Sequence, residues 1–207
     1  QIQRQKSKEI ALKDVEIEEV ERETMEQLKF ERNVEFFTGL QMFPIMRAAL
    51  EQCRHEFKTF QYNFDHMVLC ALLQRKISEG VRCRMILDRK NFYNSNCARQ
   101  CSFQYELMQS GAEVRLNNGN GRGFACQHAK TIIMDDEIFF TGSANMTENS
   151  MTNSKEHLLA VVEPIAVGKM VADFDGTWEL SEPVTVEDAL KVRNRRQEAK
   201  DKAAQER

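Results

Sequence analysis

Between residues 33 and 180 short runs of β-branched and aromatic residues alternate with longer amphipathic stretches, and this alternation limits the chain to a sheet flanked by helices. Val34 to Phe37 reads as a strand, Met42 to Glu56 as a helix and Lys58 to Tyr62 as a second strand. Asp65 is placed to cap a helix through Met67, Leu69, Leu72 and Ile77 that stops at Gly80. Val81 to Leu87 is a third strand, a further helix ends near Gly111, and Ala112 to Leu116 is a fourth strand. The expected fold class is therefore α/β, with a mixed, largely parallel central sheet flanked by helices.

The 207 residues suffice for one substantial core. Residues 1–32 and 181–207 carry Glu, Lys and Arg around sparse apolar positions, and they read as charged helical arms on a catalytic domain spanning 33–180. No window approaches the roughly 18 consecutive apolar residues of a membrane-spanning helix. The start at Gln1 leaves any upstream targeting or anchor segment unread. A net charge of -3 gives no general electrostatic reason to expect tight nucleic-acid binding, although Arg82, Arg84, Arg89 and Lys90 form a candidate local basic patch. The six cysteines lack the spacing of a disulfide scaffold or a zinc set and read as reduced thiols; Cys97 and Cys101 share a helix face.

One stretch resists a purely structural account. In QHAKTIIMD, His128 and Lys130 fall two residues apart at a strand entry and project to one side, where a buried ammonium needs compensation. Asp135, Asp136 and Glu137 form a polar turn, Ile138 to Phe140 return as a strand, and a helix is expected to start near Asn145. Ser143, Asn145 and free N–H groups at that helix start, with the charge of Lys130, would make a cradle for an anion. The GNGRG run before this stretch is not a dinucleotide fingerprint, because it precedes a strand rather than a helix. Arg122 within it is a candidate to reach a bound phosphate.

Together, His128-x-Lys130-x4-Asp135-x6-Gly142-Ser143-x-Asn145 resembles the H-x-K-x4-D-x6-G-S-x-N motif of the phospholipase D superfamily, and Asn153-x-x-Glu156 resembles its downstream N-x-x-E. At ordinary residue frequencies six fixed identities coincide by chance about once in 10^7 starting points, which removes coincidence as an explanation. The resemblance implies a phospholipase D-like fold and phosphodiester cleavage through a phosphohistidine, with no metal and no other cofactor. It assigns His128 as nucleophile, Lys130 and Asn145, with Ser143, as the groups that bind substrate and stabilise charge, and Glu156 as the partner of a His128 ring nitrogen. Asp135 and Gly142 it leaves as structural members of the motif.

The chemistry needs two imidazoles, and His55, His66 and His157 are not followed by the x-Lys pattern. Single-motif members of the superfamily pair two subunits, so the resemblance implies a homodimer with a shared site. Such members include bacterial nucleases and mitochondrial cardiolipin hydrolases. A phospholipid such as cardiolipin or phosphatidylcholine is the leading substrate class, and single-stranded DNA or RNA is the alternative. An inactive interaction module is a lesser reading, since histidine, lysine and asparagine are all in place, and an interaction protein run by the charged arms is the weaker rival. The resemblance fits an intracellular setting, mitochondrial or membrane-associated with contact to a membrane surface, and leaves location open.

Overall fold

A computed structural model describes residues 33–94, 98–119, 121 and 125–206. The N-terminal arm, Cys97 and Arg122 lie outside the described residues. The chain forms β1 (Val34–Thr38), α1 (Met42–Gln52), β2 (Glu56–Gln61), α2 (Met67–Ser78), β3 (Arg82–Asp88), α3 (Arg89–Asn94) and α4 (Ala98–Gln109). It continues with β4 (Glu113–Asn117), β5 (Thr131–Met134), β6 (Ile138–Gly142), α5 (Glu148–Thr152), β7 (His157–Val161), α6 (Pro164–Leu180), β8 (Glu182–Pro183) and α7 (Val186–Gln205).

The strands join one sheet in the order β1-β7-β6-β5-β2-β3-β4-β8. An α/β fold with a mixed sheet flanked by helices is thus observed, with one refinement. Only β2–β3 and β3–β4 pair in parallel, while the other neighbours are antiparallel. The helical connections α2 and α3–α4 enforce parallel pairing in the first half. After residue 130 the chain turns back tightly instead: Asp135 and Asp136 both adopt left-handed backbone conformations, φ 55° and 57°, and close the β5–β6 hairpin.

Side chains alternate across β5 and β6 and feed two cores. Ile132, Met134 and Phe140 join α1, α2 and α4 on one face, where Met46, Leu50, Leu73 and Leu107 are buried. Ile133 and Phe139, with Phe60 and Ile86, meet Phe174 and Trp178 of α6 on the other. Two buried cations fasten that second face. Lys58 lies 2.7 Å from Asp136 and 3.2 Å from Glu56, and Arg84 lies 2.6 Å from Glu56 and 3.0 Å from Asp175 of α6. The Arg84 guanidinium also lies over the rings of Phe174 and Trp178, 5.4 Å from each centroid.

The C-terminal segment is helical, and its first half is not a purely solvated face. Ala189 and Val192 of α7 enter the first core, and Arg193 stands 4.1 Å over the Tyr105 ring of α4. Thr185 and Asp188 cap the helix reciprocally. Helix α2 begins on His66 rather than Asp65, whose carboxylate accepts the Glu148 N–H at 3.3 Å instead. No helix among the described residues is long and apolar enough to cross a membrane.

Candidate active site

The residues singled out by the motif, Asp135 apart, collect at one end of the central strands, where β2 and β3 end and β5 begins. Thr131 pairs with Phe60, so the chain entering β5 passes beside the turn that leaves β2. Asp88, at the end of β3, is buried and accepts the Gln127 N–H at 3.0 Å. The Gln127 carboxamide then donates to Ile86 O at 3.3 Å and accepts the Ala129 N–H at 2.7 Å. These bonds hold an irregular segment, 125–130, whose backbone has no ladder to satisfy it.

From this segment His128 reaches solvent, whereas Lys130 is 7% exposed. Both meet Tyr62. The imidazole and phenol centroids are 4.9 Å apart, and the Lys130 Nζ lies 5.4 Å from the same ring. Lys130 also donates to the His128 carbonyl at 2.6 Å. Burial holds the Lys130 ammonium below the ordinary lysine range, against the opposing pull of Cys126 and Glu156. An ammonium with one short bond to protein keeps donors for an incoming anion.

Asn145 arrives from the other side. Met146 bridges in parallel to Phe64, its carbonyl accepting the Asp65 and His66 N–H groups at 2.9 and 3.1 Å. That bridge sets Asn145 against the β2 turn, where its Oδ1 accepts the Asn63 N–H at 3.2 Å. With Oδ1 engaged, the Nδ2 donors are the end of Asn145 presented to a ligand. The bridge also corrects an expectation. The chain stays extended through Met146, so the helix starts at Glu148, capped by Thr147, and runs five residues. A phosphate cradle at a helix start near Asn145 is therefore absent, and the Ser143 N–H is already spent on His157 O at 3.1 Å.

Gly142 and Ser143 are fixed by β7. A Cβ on Gly142 would stand 2.1 Å from the His157 carbonyl oxygen, a distance no side chain tolerates. The Ser143 hydroxyl makes a short hydrogen bond to the Glu156 carboxylate and accepts the His157 N–H at 3.1 Å. Glu156 also accepts from Ser150 Oγ at 3.5 Å. The carboxylate is thus tied to two hydroxyls, while its charge is felt at Lys130.

Asp135 stands at the far end of β5. Its carboxylate accepts three backbone N–H groups, from Arg54 at 2.8 Å, His55 at 2.7 Å and Glu56 at 2.9 Å. Arg82 and Arg84 belong to that remote edge too. Arg82 pairs with Glu113 at 2.7 Å and Arg84 with Glu56 and Asp175, so neither contributes to a basic patch at the site. Arg89 is paired with Glu182. Of the four expected cations, Lys90 alone lines the open cleft beside the site.

That cleft, about 880 Å³, runs from Tyr62, Asn145 and Glu156 toward α4. Carboxamides dominate it: Asn63, Asn91, Gln100, Asn145, Asn149 and Asn153. Among the described residues lining it none is aliphatic. Four thiols are elsewhere: Cys53, Cys70, Cys83 and Cys101 are buried and free, with burial raising Cys53 and Cys70 to about 12, while the free, half-buried Cys126 lies in the segment that bears His128. Among the described residues no three His, Cys, Asp or Glu side chains gather as a metal would require.

The family profile described as cardiolipin synthase, PLD-like domain, matches residues 46–178. The chain belongs to the phospholipase D-like family. It is 28% identical over 137 residues to the mitochondrial cardiolipin hydrolase of Canis lupus familiaris, a match covering 66% of this chain and 48% of that protein. It is 30% identical over 97 residues to a phospholipase D of Rickettsia prowazekii, covering 47% of this chain and 42% of that protein. The chain thus spans about half the length of these curated relatives or less. The crystal structure of Nuc, a phospholipase D family member from Salmonella typhimurium, superposes with a TM-score of 0.64 at 17% identity, over 73% of this chain and 99% of that one, which establishes the shared fold.

Sequence reasoning had no signal for Tyr62, Asn63, Asp88, Asn91 or Gln127. Tyr62, Asn63 and Asn91 act at a turn, and Asp88 and Gln127 on the irregular segment 125–130, whose positions depend on tertiary pairing.

Proposed function

We propose that the chain is a metal-independent phosphodiesterase that cleaves a phosphodiester through a phosphohistidine, in a site shared by two subunits. The observation that carries the reading is the convergence of His128, Lys130 and Asn145 on one turn, Tyr62–Asn63, at the end of the central strand β2. An imidazole nitrogen of His128 attacks phosphorus, forming the P–N bond as the P–O bond to the leaving alcohol breaks. His128 of the partner subunit protonates the departing oxygen, then takes a proton from water. The water oxygen bonds to phosphorus, the P–N bond breaks, and a phosphomonoester leaves. Lys130 and the Asn145 Nδ2 group, assisted by Ser143, hold the negative charge of the pentacoordinate state. Glu156 carries the compensating charge for the imidazolium and, in the reactive dimer, orients the His128 ring.

The cardiolipin hydrolases among the relatives support a phospholipid substrate such as cardiolipin, and with it a mitochondrial or membrane-surface setting. One observation favours a second reading, cleavage of single-stranded nucleic acid. The cleft beside Asn145 is lined by carboxamides, by Lys90 and Arg99 and by the carboxylates of Asp65, Glu148 and Glu156, and its described lining offers no aliphatic wall to an acyl chain. Purified protein given cardiolipin, phosphatidylcholine, single-stranded DNA and RNA in parallel, with chelator present, decides between them. The expected result is cleavage of one class by the native chain and none by His128→Ala. Cleavage by that variant, or loss of activity on chelation, would overturn the mechanism.

A further inference from the structure

One carboxamide outside the motif connects its two halves. Asn91 is the third residue of α3, held there by its own N–H bonding to Asp88 Oδ1 at 2.7 Å. The other oxygen of Asp88 receives the Gln127 N–H, so the same buried carboxylate anchors both Asn91 and the segment bearing His128. The Asn91 Nδ2 group has two protons and spends both on the β2 turn. One goes to the Tyr62 carbonyl in a short hydrogen bond, the other to Asn63 Oδ1 at 2.6 Å.

The turn so fixed meets three of the side chains the mechanism needs from this subunit, His128, Lys130 and Asn145. The Tyr62 ring lies 4.9 Å from the imidazole of His128 and 5.4 Å from Lys130 Nζ. The Asn63 N–H takes the Asn145 Oδ1 at 3.2 Å and so decides which end of that carboxamide faces the phosphate. We infer that Asn91 is the positioning residue of this site: it locks the Tyr62–Asn63 turn, and through the turn sets the relative placement of His128, Lys130 and Asn145. Its donors are consumed by protein, so its effect passes through other residues and not through substrate. The inference rests on the phosphodiesterase reading for its kinetic consequence, and on geometry alone for its structural one.

The test has two arms. In the first, bis(4-nitrophenyl) phosphate, a diester with neither acyl chain nor nucleotide, is turned over by the native chain, Asn91→Ala, Asn145→Ala and the double variant. A displacement of this kind lowers kcat by about tenfold to a hundredfold, with KM changed less than about twofold. In the Asn145→Ala background the loss from Asn91→Ala shrinks, because part of what Asn91 positions is already gone. A residue that merely supports folding would reduce both backgrounds by the same factor, and that outcome overturns the inference.

The second arm needs no activity. With the Tyr62 ring 4.9 Å away, its ring current should displace the imidazole proton signals of His128 in the NMR spectrum, and Asn91→Asp, isosteric but unable to donate, should release the turn. The His128 signals then move toward those of an unstacked imidazole while those of His55 and His157 stay. Should the native chain fail to cleave the diester, the functional reading falls and this arm still decides the positioning role. Unmoved His128 signals in folded Asn91→Asp refute it.

Discussion

Asp135 and Lys130 stand at opposite ends of the same short strand, and burial opposes the charge on each. For Asp135 burial favours the neutral acid, but the N–H groups of Glu56, Arg54 and His55 outweigh it and hold the carboxyl below its usual value. The stability so gained is complete above the ordinary aspartate value of 3.8 and is lost as pH falls from there through the lower folded value. Asp135→Asn keeps an acceptor and tolerates the left-handed backbone, whereas Asp135→Ala strands three donors and adds strain, at a cost of about 2–4 kcal/mol. Urea denaturation at neutral pH should rank native above Asn above Ala, with the gap between native and Asn closing below about pH 4. Lys130 lacks such compensation, and burial lowers its affinity for a proton. Activity should therefore fall on the alkaline side at a pH below the ordinary lysine value of 10.5, and Lys130→Arg, which does not titrate there, should lose that limb of the kcat profile at the expense of rate. The motif residues were legible because chemistry restricts residue type at fixed spacing. Tyr62 and Asn91 were not, because what they contribute is the placement of a turn.

The elements show a similar division. Strand and helix order could be read from periodicity as far as β6, since most runs of two-residue or helical period declare their own type, while β7, α6, β8 and the split between α3 and α4 went unread. Pairing direction could not be read in full, because a hairpin and a crossover differ in the connection. The deciding signal was Asp135-Asp136, two residues that accept positive φ and close the β5–β6 hairpin. The extension of the chain past Asn145 depends on the bridge from Met146 to Phe64, 82 residues upstream, which no local pattern carries. Helix α7 illustrates the same limit: its charge pattern describes most of its surface, while Ala189 and Val192 are buried on the α4 side. Val192→Asp should accordingly destabilise the fold by about 2–4 kcal/mol. Ala199→Asp, on an exposed position of the same helix, should stay within about 0.5 kcal/mol. Equal effects of the two in thermal denaturation would mean that α7 does not pack on the domain in solution.

At the scale of the molecule, the site has one motif histidine and the chemistry has work for two. His66 does not fill the gap: it is buried at the start of α2, stacked on Phe43 at 4.6 Å, and burial holds it below the usual histidine range. His55 is at the remote edge beside Asp135. His157 is exposed beside Glu156 but lacks the following x-Lys. The proposed pairing of the exposed His128 imidazole with a second copy of itself makes a quantitative forecast. Native and His128→Ala chains co-refolded in varying ratio form native, mixed and mutant dimers in binomial proportion. A mixed dimer has a nucleophile but no acid for the leaving oxygen, or the reverse. Activity should then follow the square of the native fraction, falling to about a quarter at equal mixing, whereas independent subunits would retain about a half. A linear decline across the series would refute the shared site even if the protein were dimeric by light scattering. A quadratic one would require both imidazoles at one phosphorus, because subunits that merely associate do not multiply their probabilities of being intact.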